Sequence, residues 1–347
     1  NDEAHYLIQE RFNTDFLEIE THRKYFFTAT KRETPSDQGL GMNNVEFYGE
    51  TIYEMSPRKA IELGKMVRPR IHIVEGPNKQ VYTPEDIDSN LGRIIIDSFH
   101  EHGQLIKQAP KMLIAGRGVE DMKLLIRSRE IQQLIEEGVN FYAVASDQEV
   151  SNYINGERVG RKEFLKRLQK DGQNPNQKLI AIHYDILTEG IDVPGLTGVL
   201  FLRDQRKAKF IQTFGRVARL DVKDRESLSI GAITPLDIDQ MNKPYAWIII
   251  PALVGEDQDK LSNLKGLIEE LRDFEYEPSE LVEPQDRPKS GGESPENEIV
   301  PENSRARRAI SEVMEEFEHK IEQEKRANAF LELISSPLSP DEILPCI

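Results

Sequence analysis

The chain has 347 residues, which is enough for two compact domains or for two domains and an appendage. Its formal net charge of −16 disfavours nucleic-acid binding by bulk charge, so any nucleic-acid groove has to be locally basic. The single cysteine, Cys346, excludes a disulfide framework or a thiolate metal site within one chain, and no apolar run approaches the ~20 residues of a membrane span. We therefore expect a cytoplasmic protein.

Apolar runs typical of buried strands alternate along the chain with periodic runs typical of helices. The predicted strands are Lys24–Thr30, Thr51–Met55, Arg70–Val74, Lys111–Ala115, Asn140–Ala145, Leu179–His183, Gly198–Leu202 and Tyr245–Ile250. The predicted helices are Pro57–Leu63, Thr83–Gln108, Val119–Glu137, Arg161–Gln169 and Ala208–Leu220. This alternation predicts an α/β fold with a parallel sheet covered by helices on both faces, in which loops at the carboxyl ends of the strands carry function.

Two polar insertions, Ser146–Gly160 and Asp221–Lys243, interrupt this pattern. The first insertion is interpreted either as a solvated loop, which we favour, or as a contact to nucleic acid. The polar residues that raise the second possibility are Asn152, Asn155, Arg158 and Arg161.

The C-terminal part of the chain differs in composition from the rest. Glu275–Asn303 is rich in proline and acidic residues, which predicts a disordered or extended linker. Ser304–Ser335 then predicts an amphipathic helix that begins with Arg305, Arg307 and Arg308. We favour packing of this helix on the body or on a partner protein over a basic contact to DNA.

The predicted helix Ala208–Leu220 carries side chains suited to phosphate binding. Gln212, Arg216 and Arg219 are spaced at i, i+4 and i+7, so they share one helix face. Two arginines on one face can clamp a phosphate group through forked hydrogen bonds.

The pattern Gln-x-x-Gly-Arg-x-x-Arg, from Gln212 to Arg219, resembles motif VI of superfamily 2 helicases and translocases. Thr188-Glu189-Gly190-Ile191-Asp192-Val193-Pro194 resembles motif V of the same superfamily, and Asp2-Glu3-Ala4-His5 resembles its motif II, the DEAH box. Thr28-Ala29-Thr30 resembles motif III, and the order II, III, V, VI is the family's order. Residues 48–69 are similar to the end of the first RecA-like domain in the restriction-enzyme-like and phage-like branch.

The resemblance implies ATP and Mg²⁺ as ligands, with residue roles taken from the matching motifs. It implies that Asp2 holds Mg²⁺, that Glu3 serves the attacking water, and that Arg216 and Arg219 stabilise charge on the γ-phosphoryl group, Arg219 as the arginine finger. It implies further ATP-site residues, namely His5, Gly190, Asp192 at the ribose, Gln212 and Gly215. It implies contact to nucleic acid, or coupling to it, for Thr28, Thr30, Thr188 and Glu189, with Gly190 permitting close approach of the backbone.

The implied domain organisation is two RecA-like lobes followed by a helical C-terminal extension. The expected divisions are residues 1–80 (the end of the first lobe), 81–255 (the complete second lobe), 256–274 (a helical segment), 275–303 (the acidic proline-rich linker) and 304–347 (an amphipathic helical tail). A phosphate-binding loop of the type Gly-x-x-x-x-Gly-Lys-Ser/Thr is absent from the sequence, and in the family it precedes motif II. We therefore expect this chain to be a fragment without significant ATP hydrolysis of its own.

The expected function is that of an ATP-dependent helicase or translocase acting on nucleic acid, DNA rather than RNA, through the phosphate backbone. Two alternatives stay open. The chain is a helicase-like module that binds nucleic acid or protein without hydrolysis, or it belongs to the translocating subunit of a restriction system.

Overall fold

The computed structural model describes residues 4, 7, 20–28, 31–34, 41–75, 84–145, 150–184, 193–202, 207–235, 237–252, 267–268, 271, 281–282, 312–323 and 325–326. These residues form an eight-stranded sheet with helices on both faces. The strands are β1 (Arg68–Val74), β2 (Lys111–Ala115), β3 (Val139–Ala145), β4 (Tyr153–Ile154), β5 (Glu157–Arg158), β6 (Lys178–Tyr184), β7 (Gly198–Phe201) and β8 (Tyr245–Pro251).

The strand order in the sheet is β1-β8-β7-β2-β6-β3-β4-β5. The first six strands in this order are parallel to one another, whereas the short hairpin β4–β5 extends the edge at β3 in antiparallel pairing. Because parallel strands need crossover connections, long segments join them, and most of these segments contain helices. The helices are α1 (Val45–Tyr48), α2 (Pro57–Glu62), α3 (Pro84–Leu105), α4 (Val119–Ile126), α5 (Arg129–Glu136), α6 (Arg161–Gln173), α7 (Lys207–Val217), α8 (Val222–Ser229) and α9 (residues 312–323).

Alternate side chains of the central strands point to opposite faces, and each face has its own apolar layer. Leu113 and Val199 pack in the layer that includes apolar residues of α2, α6 and α7. Met112 and Leu200 pack in the other layer, with residues of α3, α4 and α5. The predicted α/β class, with a mainly parallel sheet between two layers of helices, is confirmed.

Two local predictions are wrong. Residues 51–55 form no strand, and their apolar side chains are exposed, Ile52 at 84% and Tyr53 at 70%. In the described part of the chain, no strand pairs with this segment. The predicted helix Val119–Glu137 is divided into α4 and α5, because the hydroxyl of Ser128 accepts a hydrogen bond from Ile131 N–H (3.2 Å) and starts a new helix.

The described part of the segment predicted as a strand at Lys24–Thr30, residues 24–28, belongs to neither helix nor strand. The first insertion, by contrast, contains the hairpin β4–β5, and the second contains α8. The polar composition of both insertions concealed this regular structure.

The sheet begins before the predicted boundary between residues 80 and 81. β1 pairs with β8 in parallel from Arg68 opposite Tyr245 to Val74 opposite Pro251, so it closes one edge of the sheet. The division of the chain into two lobes stays a prediction, and this sheet includes a strand on either side of it.

Part of the C-terminal region packs on the body. Val313 and Phe317 of α9 are buried in the same apolar layer as α7, and Ile71 of β1 forms a parallel bridge with Val282. This agrees with the favoured interpretation of the tail as a packing helix, whereas Arg305, Arg307 and Arg308 lie outside the described residues. Among the described helices, none has the length and apolar content needed to cross a membrane.

Candidate functional site

The strand order reverses at β2, which lies between β6 and β7 in the sheet. From β2 the chain moves to the β3 side, returns to β6 and then crosses to β7, so the loops after β2 and β6 leave the carboxyl edge beside each other. Gly116 N–H, directly after β2, donates a hydrogen bond to His183 O (2.9 Å), near the end of β6. In open α/β sheets, such a reversal point is where ligands bind.

The loop after β6 contains the stretch that resembles motif V. Thr188, Glu189, Gly190 and Asp192 lie outside the described residues, so their predicted roles are untested. The flanking residues fix where this loop leaves and returns, because β6 ends at Tyr184 and Val193 is buried. The loop therefore starts at the carboxyl edge beside β2.

The loop after β2 leads directly into α4. Arg117 forms a two-point ion pair with Asp121, with Nε 2.7 Å from Oδ2 and Nη2 3.3 Å from Oδ1. Gly118 precedes α4 and has no side chain to cap the helix. The first backbone N–H groups of α4 therefore point towards the carboxyl edge without a side-chain cap. Amides at a helix N-terminus favour an anionic group.

The helix that resembles motif VI, α7, starts after the carboxyl end of β7 and packs one face on the sheet. Phe210, Phe214 and Val217 are buried in this face. The ring of Phe210 lies 5.3 Å from that of Phe201 and stacks on that of Phe214 at 5.9 Å. These contacts fix the rotation of the helix about its axis.

The other face of α7 carries Gln212, Gly215 and Arg216, whereas Arg219 lies two residues beyond the helix, because α7 ends at Val217 and not at the predicted Leu220. Gln212 and Arg216 are half-buried there, and Gly215 and Arg219 are exposed. A Cβ atom added to Gly215 would meet no atom within 4 Å. A glycine inside a helix costs about 0.5–1 kcal/mol relative to alanine, and packing within the described chain does not require it here.

The carbonyl groups at the end of α7 and directly after it bind other segments of the chain. The carbonyl oxygen of Ala218 accepts a hydrogen bond from Val67 N–H (2.8 Å), just before β1. The carbonyl oxygens of Val217 and Arg219 both accept from Lys243 Nζ, at 2.5 and 2.6 Å. The helix end that carries Arg219 is therefore fixed to two other parts of the chain.

Sequence reasoning missed Lys243 and its partner Asp224. Both are buried, with exposed fractions of 4% and 2%. The carboxylate of Asp224 accepts hydrogen bonds from Asn242 N–H (2.7 Å) and Lys243 N–H (2.8 Å). The two residues lie in a polar segment that we predicted to be an insertion, and a lone lysine in such a segment gives no signal that it is buried.

The N-terminal motifs are described only in part. Asp2, Glu3, His5 and Thr30 lie outside the described residues, and Thr28 is half-buried. Ala4 is fully buried, and its N–H donates a hydrogen bond to Phe27 O at 2.9 Å. Ala4, the described residue of the stretch that resembles motif II, is therefore bonded to Phe27, the residue before Thr28.

A surface cavity of about 300 Å³ lies beside the amino-terminal half of β3. The carboxylate of Asp171 accepts hydrogen bonds there from Asn140 and from the hydroxyl of Tyr142, both at 2.6 Å. Burial raises the pKa of Tyr142, and the hydrogen bond to Asp171 raises it further. These polar groups bind one another, which is the pattern of a structural network.

The same network uses Asn155 of the first insertion. Its side chain accepts from Phe141 N–H (2.7 Å) and donates to Asn140 (3.0 Å), and its φ of +50° lies in the left-handed region that asparagine tolerates. Arg158 and Arg161 of the same insertion are exposed. The asparagine therefore has a structural role, and the arginines stay available to a ligand.

Comparisons with known proteins give a similarity of shape at low sequence identity. No protein-family model matches the chain, and no curated protein matches it in sequence. The ATP-dependent Type ISP restriction-modification enzyme LlaBIII bound to DNA matches 79% of this chain at 16% identity and a TM-score of 0.49. A DEAD box protein from the hyperthermophile Methanococcus jannaschii matches 79% of it at 16% identity and a TM-score of 0.37.

These matches cover 20% of the LlaBIII chain and 56% of the DEAD box protein. This chain thus corresponds to a part of each matched protein. In the part of the chain that the structure describes, no group of three or more His, Cys, Asp or Glu residues could hold a metal ion. The predicted Mg²⁺ ligand, Asp2, lies outside that part.

Proposed function

We propose that this chain carries the second RecA-like lobe and part of the first lobe of an ATP-dependent superfamily 2 helicase or translocase that acts on DNA rather than RNA. The observation that most supports the proposal is the arrangement of α7. Its aromatic face is buried in the core, and its other face carries Gln212, Gly215 and Arg216, with Arg219 two residues beyond the end of the helix. The resemblance to motif VI implies that these side chains contact the phosphate groups of the nucleotide.

In this proposal the ligand fits the residues that the structure describes. The open space at Gly215 admits a phosphate group close to the helix backbone, and Arg216 and Arg219, which follow it, are suited to forked hydrogen bonds with phosphate oxygens. ATP with Mg²⁺ supplies the phosphoryl group that is transferred to water. Asp2 holds the metal and Glu3 orients the water, as their resemblance to motif II implies.

The arginines act on the charge of the transferred group. Arg219 places its guanidinium against the γ-phosphoryl as the arginine finger, and Arg216 binds a phosphate oxygen beside it. Gln212 hydrogen-bonds near the γ-phosphate or the segment Thr28–Thr30, which links nucleotide binding to nucleic-acid binding. An arginine in the finger role contributes about 10³ or more to the rate.

The nucleic-acid partner requires a local basic surface on an acidic chain. The exposed side of α6 supplies one, because its sequence contains five cations and two carboxylates. The cations are Arg161, Lys162, Lys166, Arg167 and Lys170. Arg158 on the adjacent β5 extends this surface, and contacts of this kind bind the phosphate backbone without reading sequence.

The proposal is tested with Arg219→Ala in the intact protein, in the presence of DNA. We expect ATP binding to stay within about twofold while the rate constant for hydrolysis falls by about 10³. Arg225→Ala is the matched control, because Arg225 is an exposed arginine on the next helix, α8, and has no role in the proposal.

Equal hydrolysis by Arg219→Ala and the wild type would remove the finger assignment. A wild-type protein that binds DNA but hydrolyses no ATP would instead support the alternative of a helicase-like binding module. RNA that stimulates hydrolysis better than single-stranded or duplex DNA does would contradict the proposed choice of nucleic acid.

A further inference from the structure

A buried lysine at the end of α7 occupies an unusual position. An α-helix leaves its last four carbonyl groups without partners inside the helix, and glycine or solvent commonly satisfies them. Here Lys243 Nζ donates to the carbonyl oxygens of Val217 (2.5 Å) and Arg219 (2.6 Å). The carbonyl between them, that of Ala218, accepts from Val67 N–H (2.8 Å), so three successive carbonyl groups are held.

The lysine is itself held from the other side. Asp224 of α8 accepts the backbone N–H groups of Asn242 and Lys243, at 2.7 and 2.8 Å. Asp221, which caps the start of α8, also accepts from the Asn242 side chain at 3.2 Å. The segment that carries Lys243 is therefore fixed to the residues that directly follow Arg219.

This arrangement is unfavourable for folding, considered by itself. The pKa of Lys243 is lowered to about 7, mainly by burial, with Asp221 and Asp224 opposing the change and Arg219 adding to it. Taking an ammonium group out of water costs free energy that an apolar side chain of the same length would not require. A cation at a helix C-terminus does interact favourably with the helix dipole. The hydrogen bonds of the Lys243 side chain go to the backbone carbonyl oxygens of Val217 and Arg219.

The geometry points to Lys243 as a positioning residue for Arg219, which it serves by fixing the backbone from which the arginine side chain reaches its ligand. This inference rests on the proposed function, because it assigns Arg219 to the chemistry. The side chain of Arg219 is exposed, and its backbone is the fixed point from which the guanidinium reaches a ligand. A misplacement of about 1 Å in such a group can cost about 10²-fold in rate.

The test compares Lys243→Met with Lys111→Met in the intact protein. Lys111 is a matched control, because it too is buried and its Nζ donates to a backbone carbonyl oxygen, that of Gly172, at 2.6 Å. Its carbonyl partner belongs to the end of α6. We expect Lys243→Met to lower kcat for ATP hydrolysis by about 10- to 100-fold with KM within about twofold, and Lys111→Met to leave kcat within about twofold.

A double-mutant cycle separates positioning from a general loss of stability. In the Arg219→Ala background, we expect Lys243→Met to lower kcat no further, because the side chain that it positions is gone. An equal fold-decrease in both backgrounds would overturn the inference. Loss of activity in Arg219→Ala combined with full activity in Lys243→Met would overturn the inference and leave the proposed function standing.

Amide hydrogen exchange tests the clamp without any enzymatic assay. We expect Lys243→Met to speed exchange at the amides of residues 217–221, and Lys111→Met to leave them unchanged. Unchanged exchange in Lys243→Met would show that the lysine does not hold this helix end. If Arg219→Ala retains full hydrolysis while the exchange result is positive, the finger assignment of Arg219 fails, and the positioning role of Lys243 fails with it.

Discussion

His102 gives a prediction about stability in acid that follows directly from its surroundings. The imidazole is fully buried, and its Nε2 lies 2.7 Å from Oγ1 of Thr197. That hydroxyl donates to Lys111 O (3.0 Å), so the neutral imidazole donates its Nε2–H to Thr197. The ring also lies against Gly198, where a Cβ would come within 2.9 Å of it.

The pKa of His102 is lowered from the ordinary 6.5 to about 3, mainly by burial, with smaller contributions from His72 and Lys243. As pH falls below 6.5, the unfolded chain binds a proton at this position and the folded chain does not. The unfolded state is therefore stabilised, at 1.36 kcal/mol for each unit of pH. The loss of folding stability reaches about 3 kcal/mol at pH 4.5 and about 4 kcal/mol at pH 3, where half of the folded protein also binds the proton.

The assay is urea unfolding of the wild type and of His102→Gln at pH 7 and pH 4.5. Glutamine keeps an N–H donor for Thr197 and has no ionisable group, so we expect the variant to lose about 3 kcal/mol less than the wild type between the two pH values. His22→Gln is the control, because His22 is exposed and its removal should leave the wild-type pH dependence in place. Equal losses in wild type and His102→Gln would refute the reasoning.

Three further predictions concern the candidate site. Gly215→Ala should add about 0.5–1 kcal/mol to the free energy of unfolding and lower ATP hydrolysis in the intact protein, and unchanged hydrolysis would show that no ligand approaches the helix backbone there. The double change Lys166→Glu and Lys170→Glu should weaken DNA binding and reduce the slope of log binding constant against log salt concentration by about 1 to 2. An equal effect from Lys223→Glu on α8 would contradict the role of α6. The pKa of Lys243 is lowered to about 7 in the folded protein, so between about pH 7 and pH 10.5 the unfolded chain binds a proton that the folded chain does not. The free energy of unfolding should therefore rise over this pH range by more in the wild type than in Lys243→Met. Parallel pH profiles of the two proteins would contradict a buried ammonium group.

The buried strands could be predicted closely from the sequence. The strand at Lys111–Ala115 was predicted with its observed bounds, and those at Leu179–His183 and Tyr245–Ile250 to within a residue at each end. Strands that are buried on both faces read as continuous apolar runs bounded by polar residues, so their limits are visible. The same rule failed at Thr51–Met55, because an apolar run shows that burial is favourable and does not show that a partner is present.

The order of the strands could not be read from the chain. That β1 pairs with β8 depends on a contact between residues about 180 positions apart, and no local pattern encodes it. The division of Val119–Glu137 into two helices had a local signal, since Ser128 is a good N-cap residue. The apolar periodicity on both sides of it concealed that signal.

The residues of the candidate site also fall into two groups, those with a local pattern in the sequence and those that depend on tertiary contacts. Arg216 and Arg219 could be proposed from the sequence because their side-chain chemistry and their spacing are both local properties. The carboxylate of Asp224 and the ammonium of Lys243 were not, because their partners are backbone groups brought together by tertiary structure. Hydrogen bonds to backbone groups place little constraint on a sequence pattern, so such residues are recognised only once the fold is known.

The segment Asp221–Lys243 illustrates this difference between what is visible in the sequence and what depends on tertiary contacts. In sequence it looks like an insertion between α7 and β8, but its two ends bind each other, Asp221 and Asp224 on one side and Asn242 and Lys243 on the other. Because the ends meet at the carbonyl groups of Val217 and Arg219, the chain between them can vary in length without moving the helix end. The contacts at the base of the insertion, and not its exposed residues, are therefore where a substitution should affect the arginine-bearing helix.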